Sequence, residues 1–209
     1  MSPVQNASSE IIVRGISLLK SGNPVSFATD TVYAMGAPVN DDPCVAKVFE
    51  IKQRPLNMAL PILLSSADEI RTVASEIPEV AEILMRRFWP GALTLVLKKT
   101  ALVSDIVTAG GPTVAVRVAD HPVAIEIVRR AGVPLVGTSA NIHGQPSPVT
   151  ARDVAAQIGD HVQLIIDSGR APGGVESTII DLSSNRIRIL RQGAVSRAEL
   201  EKYCKIEKG

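Results

Sequence analysis

With 209 residues and 45% hydrophobic content, the chain can build one large domain around a full aliphatic core, and no apolar run reaches the roughly 18 residues of a membrane span. A net charge of +1 and 3% aromatics exclude capture of nucleic acid or lipid by a global field, and argue against single-strand binding by base stacking. Cys44 and Cys204 lie far apart with no CxxC or zinc spacing, which fits a reduced, cytoplasmic protein.

The first ten residues are polar and lack the basic and apolar regions of a secretory leader. From Ser9 to Ser21, apolar residues at 11, 12, 16, 18 and 19 predict an amphipathic helix ended by Gly22. Pro24 to Ala28 reads as a short buried strand, and Phe27-Ala28-Thr29-Asp30-Thr31-Val32-Tyr33 as a polar strand end that leads to a helix. Asp41-Asp42-Pro43 opens that helix, because acidic residues suit the positive end and proline the first turn. Lys52-Gln53-Arg54-Pro55 closes it.

Ala59 to Leu64 is a predicted strand, and Ser66 to Glu69 a capping box that starts another helix. Pro78 to Phe88 is helical and Trp89-Pro90-Gly91 stops it. Ala92 to Lys98 and Thr113 to Val118 are strands, with the turn signal Gly110-Gly111-Pro112 between them. A helix over Pro122 to Ala131, a strand over Pro134 to Thr138 and a helix over Thr150 to Ile158 follow. Val162 to Asp167, Ser177 to Leu182 and Arg186 to Leu190 are strands, and Ser196 to Glu199 caps a last helix. The pattern predicts an α/β fold: a single domain over 1–209, core about 10–200, on an open twisted mixed sheet with flanking helices. Loops near 104–112, 142–149 and 168–176 are long enough to serve a site.

The chemistry-bearing residues cluster at the ends of apolar strands and of one helix, which suggests one shared cleft. Lys52 and Arg54 sit at a helix end that Pro55 terminates, which frees both toward one anionic ligand; solvated cations complementing the helix dipole are the plainer reading. Alternation puts Thr113, Ala115 and Arg117 on one face of their strand and Val114, Val116 and Val118 on the other. An arginine in so apolar a strand needs an anionic partner, either substrate or a structural carboxylate. Arg191 is a further cation at a strand end, while Arg188 faces solvent by alternation. Ser139 and Asn141 offer donors and acceptors, or an ordinary turn. Ser177 and Thr178 could be plain strand residues, and Glu176 reads as structural. Gly173-Gly174 could offer backbone N–H groups to an anion or make a turn. His121, His143 and His161 share no metal spacing, and GxSxG, HExxH and GxxxxGK[ST] are absent. No nucleophile–base pair emerges, so the catalytic residues stay unassigned. The pattern suits a cleft that positions anionic pieces and stabilises charge.

Seven segments together resemble the threonylcarbamoyl-AMP synthase (YrdC/Sua5) family, over roughly residues 10 to 200. They are Thr29-Asp30-Thr31-Val32-Tyr33, Lys52-Gln53-Arg54-Pro55, Trp89-Pro90-Gly91-Ala92-Leu93-Thr94-Leu95, Ala115-Val116-Arg117-Val118, Thr138-Ser139-Ala140-Asn141, Glu176-Ser177-Thr178 and Ile189-Leu190-Arg191-Gln192-Gly193. The resemblance implies a YrdC-like open sheet with a concave, positively charged cleft. It implies an enzyme that makes threonylcarbamoyl-AMP and pyrophosphate from L-threonine, bicarbonate (or CO2) and ATP, the first step of threonylcarbamoyl-adenosine modification of tRNA.

By matching positions, Thr31, Arg117, Ser139 and Ser177 would hold L-threonine. Lys52, Arg54, Thr113, Asn141, Ser147 and Arg191 would hold ATP, with Lys52 and Arg54 as electrostatic stabilisers. Mg2+ would come with ATP rather than occupy a dedicated protein site. Implied partners are tRNA and the proteins of the later threonylcarbamoyl-transfer step. The chain is read as the short form of the family. It departs from the family pattern at Ala34, which adds a methyl close to the cleft, at Met58 and Leu63, and at His143. An RNA-binding maturation module and a carbamoyl-transfer module are the alternatives. Pyrophosphate release that requires both threonine and bicarbonate separates them from the synthase.

Overall fold

The computed structural model describes residues 2–207. The chain opens with strand β1 (Val4–Asn6) and helix α1 (Ser9–Lys20), whose first turn is capped by the Ser8 side chain accepting from Ile11 N. Strands β2 (Val25–Ala28) and β3 (Tyr33–Pro38) form an antiparallel hairpin around Thr29–Val32. Helix α2 (Asp42–Lys52) begins on the Asp41 cap with Pro43 in its first turn. Strand β4 (Ile62–Leu64) is followed by a short 3-10 turn (Ala67–Glu69), helix α3 (Ile70–Val73) and helix α4 (Glu79–Phe88). Strand β5 (Leu93–Lys98), helix α5 (Asp105–Thr108), strand β6 (Thr113–Val118), helix α6 (Pro122–Ala131), strand β7 (Leu135–Ser139) and helix α7 (Ala151–Ile158) come next. The chain closes with β8 (Ile165–Asp167), β9 (Thr178–Asp181), β10 (Arg188–Arg191) and α8 (Arg197–Leu200).

These strands form one mixed, twisted sheet in the order β1-β8-β2-β3-β7-β4-β6-β5-β9-β10. The pairs β1/β8, β2/β8, β4/β6 and β5/β9 are parallel and the rest antiparallel. Helices α1 and α6 cover part of one face, packing Ile16, Leu19, Ile127 and Val128 on Val25, Phe27, Ala34 and Leu135. The opposite face carries the larger core, where Val45, Val48 and Phe49 of α2 and Leu84 of α4 meet Met35, Ile62, Leu95 and Val116. Over β6, β5 and β9 the first face has no helix, and the site lies there.

Several expectations are corrected. Tyr33–Pro38 is a full strand between the polar strand end and α2, where the sequence suggested direct entry into the helix. The segment lacks β-branched residues and is a strand because β2 and β7 flank it. It must also stay small, since a Cβ at Gly36 would lie 2.9 Å from Phe27 Cε1. The Ser66 side chain makes no cap bond. Instead, the Glu69 carboxylate accepts from Ser65 N at 2.9 Å and Ser65 Oγ at 2.6 Å. The polar stretch Val4–Asn6 becomes an edge strand by pairing with β8, and α5 folds within the predicted loop 104–112. The final capping box forms as expected between Ser196 and Glu199.

Candidate active site

Strand register fixes the floor of the site. Leu63 pairs with Arg117, Ala115 with Val96, and Thr94 with Ile179, so these side chains share the uncovered face. Val114, Val116 and Val118 point to the core face and are buried there, as alternation requires. The uncovered part of this face carries small or polar residues, including Thr94, Thr113, Ala115 and Gly137, which line the site. The result is a cleft of about 540 Å³. All ten candidates line it: Thr31, Lys52, Arg54, Thr113, Arg117, Ser139, Asn141, Ser147, Ser177 and Arg191.

At one end stands Arg117, buried with Asp30. Its Nη2 donates to Asp30 Oδ1 at 2.5 Å, its Nη1 to Thr31 Oγ1 at 3.0 Å and its Nε to the Gly91 carbonyl at 2.8 Å. The side chains are 7% and 14% exposed, so this is a largely dry ion pair. Burial pulls the guanidinium pKa down, and Asp30 opposes that shift. Of the two sequence options the structure shows the carboxylate, and the paired arginine also borders the cleft. The loop around Asp30 is set by Thr29, whose Oγ1 bonds the Val32 carbonyl at 2.7 Å. Gly173 N and Gly174 N donate to the carbonyls of Asp30 and Thr31, at 2.9 and 2.8 Å. That consumes the backbone donors considered for an anion nest. A Cβ at Gly173 would lie 2.6 Å from the Asp30 carbonyl, so the close approach requires glycine.

Lys52 lies at the other end, 1% exposed. Helix α2 ends at Gln53, which adopts the left-handed conformation, so Lys52 turns inward instead of standing free in the cleft. Its Nζ donates to Ser139 O at 2.5 Å, Asn141 O at 2.9 Å and Asn141 Oδ1 at 3.0 Å, a partner for each ammonium proton. Burial, with repulsion from Arg54, lowers its pKa from 10.5 to about 8. Its carbonyl accepts from His143 N at 2.7 Å, and Asn141 Nδ2 donates to Gln145 O at 2.6 Å, so the 139–145 turn is built around this lysine.

Arg54 is half-buried, donating to the carbonyls of Met58 at 3.2 Å and Ala59 at 2.9 Å. Met58 thus enters the site through its backbone. Arg191, at the end of β10, donates to Ser177 O and Oγ and pairs with Glu176. Ser177 Oγ and Thr94 Oγ1 are 2.8 Å apart, and Ser147 Oγ donates to Glu176 Oε1 at 2.6 Å. Arg188 is exposed, as alternation predicted.

Sequence reasoning missed Thr94, Leu190 and Gln145 as lining residues; Glu176, read as structural, holds Ser147 and Arg191 and also lines the cleft. Strand alternation alone would have brought out Thr94, because it shares the face of Val96 and Ala115. His143 lines the cleft, while His121 and His161 do not. Tyr33 stands behind the cleft wall, its hydroxyl donating to Gly169 O at 2.6 Å. Burial and Asp167 push its pKa up to about 12.

An α/β sheet with this order and a hydroxyl- and cation-lined cleft on its uncovered face defines the class of the protein. The model of the Sua5/YciO/YrdC family, described as telomere recombination, matches residues 17–193, and the chain belongs to that family. It is 42% identical over 184 residues to the threonylcarbamoyl-AMP synthase of Pyrococcus abyssi (strain GE5 / Orsay), covering 88% of this chain and 54% of the relative. It is 38% identical to the threonylcarbamoyl-AMP synthase of Bacillus subtilis (strain 168), covering 91% of this chain and 55% of that one. The chain spans about half the length of these curated relatives. The crystal structure of P. abyssi Sua5 complexed with L-threonine superposes with a TM-score of 0.94 at 38% identity, over 98% of this chain and 62% of that one.

Proposed function

We propose that this chain is an L-threonylcarbamoyladenylate synthase, a nucleotidyltransferase that forms threonylcarbamoyl-AMP and pyrophosphate from L-threonine, bicarbonate (or CO2) and ATP. The observation that carries this reading is the uncovered sheet face, where Arg117, Arg54 and Arg191 border a floor of hydroxyl groups. The threonine-bound P. abyssi structure and the named relatives support it. This synthesis is the first step of threonylcarbamoyl-adenosine modification of tRNA, and its product passes to the proteins of the later transfer step.

In this reading Arg117 takes the threonine α-carboxylate on the N–H groups that Asp30 and Thr31 leave free. Thr31, Ser139 and Ser177 hold the amino acid's polar groups, and Leu63 receives its methyl. Arg54 and Arg191 bind phosphate oxygens, and Thr113, Asn141 and Ser147 orient the nucleotide. Lys52 contributes charge from behind the Ser139–Asn141 turn. The threonine amine attacks CO2 and loses a proton to give a carbamate. A carbamate oxygen then attacks the α-phosphorus of ATP, and pyrophosphate leaves. The carbamate is already an anion, so positioning and charge stabilisation suffice without a protein nucleophile. Mg2+ would come with the triphosphate. Glu176 is the only carboxylate among the described lining residues, so Mg2+ would be held chiefly by the ATP phosphates, where it would neutralise charge.

Among the described residues no helix is long and apolar enough to cross a membrane. A cytoplasmic setting suits the two free cysteines and the tRNA pathway. The decisive experiment measures pyrophosphate release from ATP. Release that needs both threonine and bicarbonate supports the synthase, and release indifferent to either overturns it.

A further inference from the structure

Glu176, at the entrance to β9, is the one carboxylate among the described residues that line the cleft, and it stands among the cations. Arg191 Nη1 donates to its Oε2 in a close ion pair, and Ser147 Oγ donates to its Oε1 at 2.6 Å. Its field also reaches Lys52 and Arg54. The backbone beneath is fixed. Ala194 N donates to the Glu176 carbonyl at 3.0 Å, and Gly193 packs so closely on that carbonyl that any Cβ would overlap it. A held carboxylate therefore bridges the 142–149 loop and β10 through the same two groups, Ser147 and Arg191, that the reading above gives to the nucleotide.

A carboxylate and a phosphate compete for the same guanidinium protons, and side by side they repel. We propose that Glu176 is the internal counter-ion of the nucleotide subsite. Its carboxylate holds Arg191 and Ser147 until a polyphosphate takes both over, and it thereby sets which anions the cleft accepts. A multiply charged phosphate chain reaches several cations at once and outweighs one lost ion pair. A small monoanion meets Arg191 alone and does not. This inference rests on the cleft being a nucleotide site.

The test is calorimetric titration of wild type and Glu176→Gln with ATP, inorganic pyrophosphate and adenosine. Glu176→Gln keeps the shape of the side chain and removes its charge. Pyrophosphate and ATP should bind the variant about two- to fivefold more tightly, the scale of a partly exposed ion pair, while adenosine affinity stays unchanged. Unchanged or weaker pyrophosphate binding overturns the proposal and makes Glu176 a strut. If the substitution prevents folding, Glu176→Asp withdraws the carboxylate by one methylene and should shift pyrophosphate affinity in the same direction. A wild type that binds neither ATP nor pyrophosphate overturns the nucleotide reading itself. A wild type that binds both, with unaltered variants, overturns only the role of Glu176.

Discussion

Lys52 Nζ donates to both the carbonyl and the side-chain Oδ1 of Asn141, at 2.9 and 3.0 Å, and so locks the conformation of the turn that carries Ser139 into the cleft. With Ser139 O as its third acceptor, the ammonium is spent on the protein. Its contribution to any ligand comes through the turn and through its field.

Lys52→Met should therefore lower both stability and activity. It strands buried acceptors, each costing about 1–3 kcal/mol. Urea denaturation and pyrophosphate-release kinetics measure the two losses. A stable Lys52→Met with normal turnover would contradict this account.

The lowered pKa of Lys52 adds a pH dependence with a defined sign. Between about pH 8 and 10.5 the folded chain has released a proton that the unfolded chain still holds. The unfolded state then binds more protons, so this group's contribution to stability rises with pH across that window. The turn meanwhile loses one N–H donor. Turnover should fall through about pH 8 on the alkaline side while stability does not. In Lys52→Arg, which stays charged, the limb near pH 8 should disappear at whatever rate remains. A limb unchanged in Lys52→Arg would assign it elsewhere.

Asp30→Asn leaves the buried Arg117 guanidinium without its countercharge. Breaking a buried pair by removing one partner costs about 3–5 kcal/mol, and the loss should appear in chemical denaturation. Threonine affinity should fall with it, because Thr31 and Arg117 share this network.

Gly137→Ala places a methyl on top of Leu63, whose Cγ and Cδ1 are the nearest atoms to that position. Overpacking of this kind costs about 1–3 kcal/mol and should push Leu63 into the cleft. Adding Leu63→Ala should restore much of the stability, a non-additivity that a double-mutant cycle reads directly.

In the proposed function, the hydroxyl groups of Thr31, Ser139 and Ser177, with Leu63 beside them in the cleft lining, set amino-acid choice. Threonine should lead. Serine, lacking the methyl, should be weaker by about tenfold, and valine far below both, because it leaves the pocket's polar groups unpaired. Pyrophosphate release with each amino acid at fixed ATP and bicarbonate gives the order. Valine equal to threonine would remove the hydroxyl-reading pocket.

What the sequence by itself determined is what local periodicity and caps encode. The long helices α1, α2, α4, α6 and α7 have apolar spacing and end signals that act within a few residues, so they fall where the pattern puts them. Alternation along Thr113–Val118 likewise turned Arg117 toward the cleft. The ordered motifs identified the family. Only the tertiary structure decided β1 and β3, which take their hydrogen bonds from neighbours distant in sequence and carry little strand preference of their own. It also decided what the charged side chains touch. Sequence offered Lys52 as a free cation, Gly173-Gly174 as an anion nest and Glu176 as structural. The fold surrounds Lys52 with carbonyls, spends the glycine N–H groups on Asp30 and Thr31, and sets Glu176 opposite Arg191. The physical reason is common to all three. A polar group's role depends on which partners long-range folding brings within hydrogen-bond reach, and its immediate sequence neighbours do not specify them.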